Sequence, residues 1–283
     1  MRCRKRAFAG IFLIAAHGIA LAEDPAGIRQ VYKKVDGREL HIWTLAPASP
    51  SQKAPAIVFF HGGGWVGGTA IAFDKQGQYL ASRGIAVAHV EYRLLNRSAK
   101  EPPEICAQDA KSAMRWVRAN AGRLGIDPYR IAASGGSAGG HLAAFTALVE
   151  GTDDPADDLS VSPKPNALVL FNPVFDNGPG GWGSERVGAD YMKFSPFHHV
   201  TAAAPPTIVL SGADDKLIPA DTVRTFQARM RKAGARCDIV IYEGQGHGFF
   251  NKGKPYYQTL KAADEFLVSL GWLEGPPTLT VPD

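Results

Sequence analysis

The sequence has few cysteines and no excess charge of either sign over most of its length. Only three cysteines occur among 283 residues, which excludes a small fold held together by many disulfides. The formal net charge of +4 equals the charge of Arg2, Arg4, Lys5 and Arg6, which stand in an N-terminal stretch without acidic residues. The rest of the chain is therefore near neutral. No basic patch or aromatic-interleaved basic stripe remains to indicate a nucleic-acid-binding protein.

Internal repeats, coiled-coil heptads and low-complexity tracts are also lacking, which excludes solenoids and fibres. One long apolar run exists, from Ala7 to Ala22, and it ends in the small-x-small sequence Ala20-Leu21-Ala22. Its 16 residues fall short of the roughly 20 that a transmembrane helix needs. We therefore predict that residues 1–22 are a signal peptide and that the protein is secreted or periplasmic. After cleavage we expect no stable membrane anchoring and one domain over residues 23–283.

The two cysteines beyond this segment are Cys106 and Cys237. They could pair in an oxidising compartment, but sequence alone cannot place them within bridging distance. Cys106 falls on a predicted helix and Cys237 opens a predicted strand much later in the chain. We expect two buried free thiols. A catalytic cysteine is not indicated, because neither residue lies on an exposed turn.

Apolar strands and amphipathic helices alternate along the chain. Two alternating segments around Asp36-Gly37, at 31–35 and 38–46, predict an antiparallel hairpin. The later strands are short and wholly apolar, as expected when both faces of a sheet are covered. The predicted fold class is α/β, with a mostly parallel, doubly wound sheet. The predicted strands are 56–60, 85–92, 130–134, 167–171, 207–211 and 237–242, and the predicted helices are 73–83, 105–121, 138–149, 221–233 and 256–270.

The strongest chemical signal is Gly-Gly-Ser-Ala-Gly at residues 135–139. This G-x-S-x-G follows an apolar strand and precedes a helix, which is the context of a nucleophile elbow. A sharp turn would lift the hydroxyl of Ser137 above the sheet, where the N-terminus of the helix favours negative charge. A plain Gly-Ser turn is the alternative, and the motifs elsewhere in the chain argue against it.

A second motif, His-Gly-Gly-Gly-Trp at residues 61–65, directly follows another apolar strand. Its glycines allow the backbone N–H groups of Gly63 and Gly64 to point into one space. Together with the N–H of Ala138, they would form an oxyanion hole. The alternative is a flexible glycine loop. We expect His61 to hold the shape of the loop rather than to act as a base.

A serine nucleophile needs a base, and His247 is the favoured candidate because it stands in a Gly-His-Gly-Phe loop after a strand. The other histidines fall on a strand, on the elbow helix or in an irregular segment. Asp214 and Asp215 follow the strand 207–211 and are the candidate acids. Adjacent residues point in different directions, so only one of them should reach the histidine, and the spacing does not say which. Each candidate follows the carboxyl end of a strand, where α/β sheets place their sites.

The order Ser, Asp, His is that of the α/β-hydrolases, and the chain resembles their esterase/lipase family. This family includes the hormone-sensitive-lipase-like carboxylesterases and the feruloyl and acetyl-xylan esterase-like enzymes. The resemblance implies a serine ester hydrolase that needs no metal or organic cofactor. It also implies Asp215 as the acid and a structural role for Asp109. The matching segments are HGGGW at 61–65, EYRL at 91–94, DAKSAMRWVRANA at 109–121, IDPYRIAASGGSAGGHLAA at 126–144, SPFHHV at 195–200, GADDKLIP at 212–219 and YEGQGHGF at 242–249.

The chain departs from the hormone-sensitive-lipase-like pattern in one respect. Those enzymes usually carry a helical cap before the glycine motif, whereas only about 38 residues separate the predicted cleavage site from His61. The resemblance therefore favours the compact polysaccharide esterases, with acetyl or feruloyl esters of carbohydrate as substrates. Residues 172–193, with Trp182 and Tyr191, are either a small partial lid or an ordinary surface loop.

Other functions remain open at the level of sequence. A peptidase or an aryl-formamidase could use the same three residues, although the peptidase relatives usually carry a large additional domain. A catalytically silent binding protein on a hydrolase scaffold is a further alternative. Such proteins usually lose a member of the triad, whereas this chain keeps Ser137, Asp215 and His247. The expected partner is a small ester or acylated-carbohydrate substrate, and the oligomeric state stays undetermined.

Overall fold

A computed structural model describes residues 23–49, 53–98 and 100–282. The predicted signal peptide, residues 1–22, lies outside the described residues, so its cleavage stays a prediction. None of the helices in the described ranges combines the length and the apolar character that a membrane crossing requires.

A sheet of eight strands forms the centre of the described chain. Its strands are β1 (Ile28–Val35), β2 (Arg38–Leu45), β3 (Ala54–Phe60), β4 (Ala86–Val90), β5 (Ile126–Gly136), β6 (Ala167–Phe171), β7 (Thr207–Gly212) and β8 (Cys237–Tyr242). They are ordered β1-β2-β4-β3-β5-β6-β7-β8. The pairs β1–β2 and β2–β4 are antiparallel, and all other neighbours are parallel. The predicted α/β fold, with an N-terminal antiparallel hairpin and a mostly parallel sheet, is confirmed.

Helices cover both faces of this sheet. They are α1 (Asp74–Ser82), α2 (Glu104–Ala119), α3 (Ala121–Leu124), α4 (Ala138–Leu148), α5 (Ser184–Val187), α6 (Ala220–Lys232) and α7 (Gly253–Ser269). Along β3, Ile57 and Phe59 pack with α1 and α7, whereas Val58 and Phe60 pack on the face of α2, α4 and α6. Successive side chains of a strand point to opposite faces. A central strand between two helical layers is therefore apolar at every position.

The fifth strand begins earlier than the sequence predicts, because the turn signal Asp127-Pro128 lies within it. Ile126 pairs with Ala54 and Ile131 pairs with Ala56, so the intervening residues of β5 have no matching partners on β3. A proline has no N–H for a ladder and is tolerated at such irregularities. The Asp127-Pro128 signal therefore marks an irregularity within β5 and not its start, and the strand continues after it to Gly136.

A buried ionic cluster explains why the chain carries an aspartate inside α2. Asp109 is fully buried and accepts hydrogen bonds from Lys33, at 2.8 Å, and from the guanidinium and backbone N–H of Arg93. Lys33 also lies 2.6 Å from a carboxylate oxygen of Asp154. Buried charges need such partners. The cluster joins β1, α2 and the segment after β4, which agrees with the structural role implied for Asp109.

The two cysteines of the described residues are free and buried, as expected. Burial raises the pKa of the Cys237 thiol to about 12. Burial likewise raises the pKa of Cys106 well above its usual value. Nucleophilic cysteines are thiolates in partly exposed surroundings. Neither residue has that character.

Candidate active site

Ser137 occupies the tight turn between β5 and α4. Its φ of 56° is rare for a residue with a side chain, and such backbone strain costs of order 1–3 kcal/mol and clusters at functional sites. The flanking glycines are required by close approach, because a Cβ on Gly139 would lie 2.1 Å from the carbonyl oxygen of Phe60 and one on Gly135 would lie 2.5 Å from the same oxygen. The Ser137 N–H donates to the carbonyl of Phe171 at 3.0 Å, which fixes the turn.

The structure brings the three predicted side chains together. Nε2 of His247 lies 2.9 Å from Oγ of Ser137, and its Nδ1 lies 2.8 Å from Oδ2 of Asp215. The loops after β7 and β8 are in backbone contact, since a Cβ on Gly212 would lie 2.2 Å from the carbonyl oxygen of Gln245. This contact sets the acid beside the histidine. The arrangement suits a serine whose proton is taken by a histidine oriented by a carboxylate.

Asp215 and not Asp214 is the carboxylate that reaches His247. Asp215 is 4% exposed, whereas Asp214 is exposed to solvent. Oδ1 of Asp215 accepts the backbone N–H groups of Leu217 and Ile218 at 2.9 and 3.0 Å. Burial raises the pKa of Asp215, but the hydrogen bonds from His247 and from the backbone outweigh burial, and the net effect lowers the pKa. The carboxylate is therefore held in its charged form.

Asn172 is a site residue that the sequence analysis did not single out. Its Nδ2 donates to Oδ2 of Asp215, the oxygen that also faces His247. Its φ of 40° is again unusual for a residue with a side chain. A sequence signal exists: Asn172 directly follows the carboxyl end of β6, as Ser137 directly follows that of β5. The amide of Asn172 therefore helps to hold the carboxylate in place beside the histidine.

The glycine loop after β3 lies against the nucleophile. Gly63 and Gly64 have φ values of 118° and 63°, and they line the same pocket as Ser137. In the part of the chain that the structure describes, neither of their N–H groups donates a hydrogen bond. Ala138 is buried at the first position of α4, where backbone N–H groups have no acceptor within the helix. The three predicted oxyanion donors thus flank Ser137, two at the pocket wall and one at the helix start.

Three other histidines are sealed in the protein. Burial lowers the pKa of His61, His89 and His141 to about 4 in each case. His61 stacks on Tyr92 with a centroid distance of 4.1 Å, and its Nδ1 lies 2.8 Å from the carbonyl oxygen of Gly62. These contacts hold the glycine loop, and His61 is not among the residues that line the pocket at Ser137.

The pocket at Ser137 has a volume of about 410 Å³. A pocket of about 450 Å³ lies at the opposite end of the sheet, near Ala56 and Ile126, but its lining residues include no serine, cysteine, histidine or acid. Pocket volume therefore does not distinguish the candidate active site, whereas the reactive side chains of Ser137 and His247 in its lining do. In the described ranges, no three His, Cys, Asp or Glu side chains are grouped so that they could hold a metal ion. The pocket at Ser137 is lined by Gly62, Gly63, Gly64, Ala72, Phe73, Gly136, Ser137, Trp182, Leu217, His247, Gly248, Phe250 and Asn251.

The segment 172–193 supplies one wall of this pocket. Trp182 lines it, and the ring of Trp182 lies 5.1 Å from that of buried Trp65. Tyr191 instead packs edge-on against His198 and does not line the pocket. One aromatic residue of the segment therefore borders the site, and the other anchors the segment to its surroundings.

This strand order, with a serine turn after β5 and the acid and histidine after β7 and β8, defines an α/β-hydrolase. A family model described as BD-FAE matches residues 43–176, and the model of the dienelactone hydrolase family matches residues 192–275. The solved structure of Thermogutta terrifontis esterase 2 is 44% identical, with a TM-score of 0.84, over 90% of this chain and 98% of that one. The chain belongs to the esterase family of the α/β-hydrolases, and the resemblance stated from its motifs is confirmed.

Curated relatives agree with this assignment. Esterase LipC of Mycobacterium tuberculosis is 29% identical over 82% of this chain and 59% of its own length. The acetylxylan esterase of Xylanibacter ruminicola is 30% identical over 86% of this chain and 49% of its own length. The chain thus spans about half to three fifths of the length of these relatives.

The buried histidines predict a loss of stability in acid. Their folded-state pKa values of about 4 lie below the value of about 6.5 for an unfolded chain. The stability that each contributes above pH 6.5 is lost as the pH falls towards 4, because the unfolded state binds the proton first. Between pH 7 and pH 5, we expect His89→Leu to lose about 2 kcal/mol less unfolding free energy than the parent. Urea unfolding at both pH values measures this, and equal losses would contradict it.

Proposed function

We propose that this protein is a serine carboxylic-ester hydrolase that works through an acyl-enzyme intermediate. The observation that carries the proposal is the continuous hydrogen-bonded chain from Ser137 through His247 to Asp215 at the wall of an accessible pocket. The relatives that are named esterases support the same activity.

Acylation begins when Nε2 of His247 takes the proton of the Ser137 hydroxyl. Oγ then attacks the carbonyl carbon of the ester and forms a tetrahedral intermediate. The N–H groups of Gly63, Gly64 and Ala138 hold its oxyanion, and the loss of one such donor typically costs roughly 3–4 kcal/mol of barrier stabilisation. The intermediate collapses, the C–O bond to the alcohol breaks, and the imidazolium gives its proton to the leaving alcohol. The acyl group stays on Ser137.

Deacylation repeats these steps with water. His247 takes a proton from a water molecule, whose oxygen attacks the acyl carbonyl. The second tetrahedral intermediate releases the carboxylic acid, and the proton returns to Oγ of Ser137. Asp215 keeps the imidazole in the required orientation and stabilises its charged form, and Asn172 keeps the carboxylate in place.

We propose esters with a short acyl chain as substrates, among them acetyl or feruloyl esters of carbohydrate. The pocket at Ser137 is small and has aromatic walls from Phe73, Trp182 and Phe250. The Thermogutta esterase is known with propionate bound and with butyrate bound. The name of the Xylanibacter relative supports an acetyl group on a sugar.

The substitution Ser137→Ala distinguishes an esterase from a binding protein that has no catalytic activity. Ser137→Ala should reduce the hydrolysis of 4-nitrophenyl acetate by at least about a thousandfold, because the acyl group then has no oxygen to attach to. The parent should also bind a fluorophosphonate probe covalently at Ser137, and the variant should not. Ser160→Ala changes an exposed serine that does not line the pocket and is the control. Full activity of Ser137→Ala in a folded protein, or absence of labelling in the parent, would overturn the proposal.

Asn172→Gly tests the support of the acid. Glycine accepts the positive φ, so the substitution removes the amide donor to Asp215 without straining the backbone. We expect kcat to fall roughly tenfold, the order expected for loss of a hydrogen bond to a charged group, with KM little changed. Steady-state kinetics measures both constants. Asn96→Gly, at an exposed asparagine, is the control, and an unchanged kcat in Asn172→Gly would show that the amide has no part in catalysis.

We also propose that the chain is exported and cleaved after Ala22. The support is the basic start, the apolar run and the Ala20-Leu21-Ala22 sequence. Expressed in a Gram-negative host, the mature protein should lie outside the cytoplasm and begin at Glu23, as mass spectrometry of the purified fraction would show. An intact N-terminus on protein retained in the cytoplasm would refute this.

A further inference from the structure

A second pocket lies beside the one at Ser137. Its volume is about 230 Å³, and Trp182 and Leu217 line both pockets. The Trp182 ring reaches the glycine loop, since its Cη2 lies 3.4 Å from the position that a Cβ on Gly64 would take. Leu217 donates its N–H to Asp215 at 2.9 Å. The shared wall therefore runs from the oxyanion side of the site to the acid side.

The second pocket differs from the first in its polar groups. Asp176 and Thr222 contribute a carboxylate and a hydroxyl to its lining. Oδ1 of Asp176 accepts the N–H of Gly178 at 2.8 Å, which fixes the side chain. Among the described residues, Oδ2 of Asp176 and Oγ1 of Thr222 have no hydrogen-bond partner. A fixed carboxylate and a hydroxyl with spare bonding capacity suit a ligand that carries hydroxyl groups.

We propose that this second pocket binds the alcohol part of the ester, and that this alcohol is an uncharged sugar. The inference rests on the proposed ester hydrolysis. The sugar lies against Trp182, its hydroxyls donate to Asp176 and bond with Thr222, and the acyl group enters the aromatic pocket at Ser137. A carboxylate interacts well with hydroxyl donors but repels an anion. The pocket therefore selects a neutral sugar over a uronic acid of the same size.

The inference is tested with three esters of one acyl group: 4-nitrophenyl acetate, a monoacetylated methyl glucoside and the matching monoacetylated methyl glucuronide, which differs from the glucoside by a carboxylate. Asp176→Asn keeps the shape and the acceptor for the Gly178 N–H but removes the charge, and Thr222→Val removes only the hydroxyl. Asp190→Asn alters an exposed carboxylate that lies outside the pocket and is the matched control.

We expect each of the two pocket variants to raise KM for the acetylated glucoside about fivefold or more, with kcat little changed, as suits the loss of hydrogen bonds to the bound sugar. Their kcat/KM for 4-nitrophenyl acetate should stay within about twofold of the parent, because that alcohol has no hydroxyl groups for the pocket to bind. The kcat/KM of the parent should be about tenfold higher for the glucoside than for the glucuronide, and Asp176→Asn should reduce that ratio. Asp190→Asn should match the parent throughout.

Two results would overturn the inference while leaving the ester hydrolase intact. One is a parent that cleaves 4-nitrophenyl acetate but shows no preference for the neutral acetylated sugar. The other is that kcat/KM of Asp176→Asn and Thr222→Val falls by the same factor on all three esters, or does not change on any of them. A parent that cleaves no ester and takes up no fluorophosphonate would remove the proposed function itself, and the inference with it.

Discussion

The hydrogen bond between His247 and the buried carboxylate of Asp215 is the interaction on which the site depends. It forms because Gly212, the last residue of β7, lies against the backbone of Gln245 in the loop after β8, at a distance that leaves no room for a side chain on residue 212. The same means of assembly recurs at the nucleophile, where Gly139 lies directly against the carbonyl of Phe60. Side chains from distant parts of the sequence meet because small residues let the strand ends approach.

Asp215 is buried, and it can remain charged there only because it accepts several hydrogen bonds. Burial away from solvent normally raises the pKa of a carboxyl group and favours its protonated form. Two backbone N–H groups, the amide of Asn172 and the imidazole of His247 together keep Asp215 ionised. The buried Asp109 meets the same requirement with cations instead, from Lys33 and Arg93. The amide donors around Asp215 leave its charge available to stabilise the imidazolium, whereas the cations around Asp109 neutralise it.

Sequence reasoning identified the fold class, and it predicted candidate site residues that the structure brings together, because both follow from local patterns. Wholly apolar strands indicated a sheet covered on both faces, and the turn at Ser137 requires glycines that are visible in the sequence. What the sequence could not supply depends on contacts between strands. Asp214 and Asp215 are indistinguishable by spacing, because only the turn that places Leu217 and Ile218 over one carboxylate decides between them. Asn172 acquires its role from the pairing of β6 with β7. The predicted start of β5 was wrong, because the turn at Asp127-Pro128 lies between two stretches of β5 that both pair with β3.

The two free thiols have a consequence for how this fold is reached. Cys106 and Cys237 are both closed off from solvent and neither is bonded to the other, so no covalent crosslink between them contributes to the native state. Folding that buries Cys106 and Cys237 therefore needs no oxidant and no disulfide isomerase for this pair, and the same packing shields both thiols from oxidation that an unfolded chain would undergo.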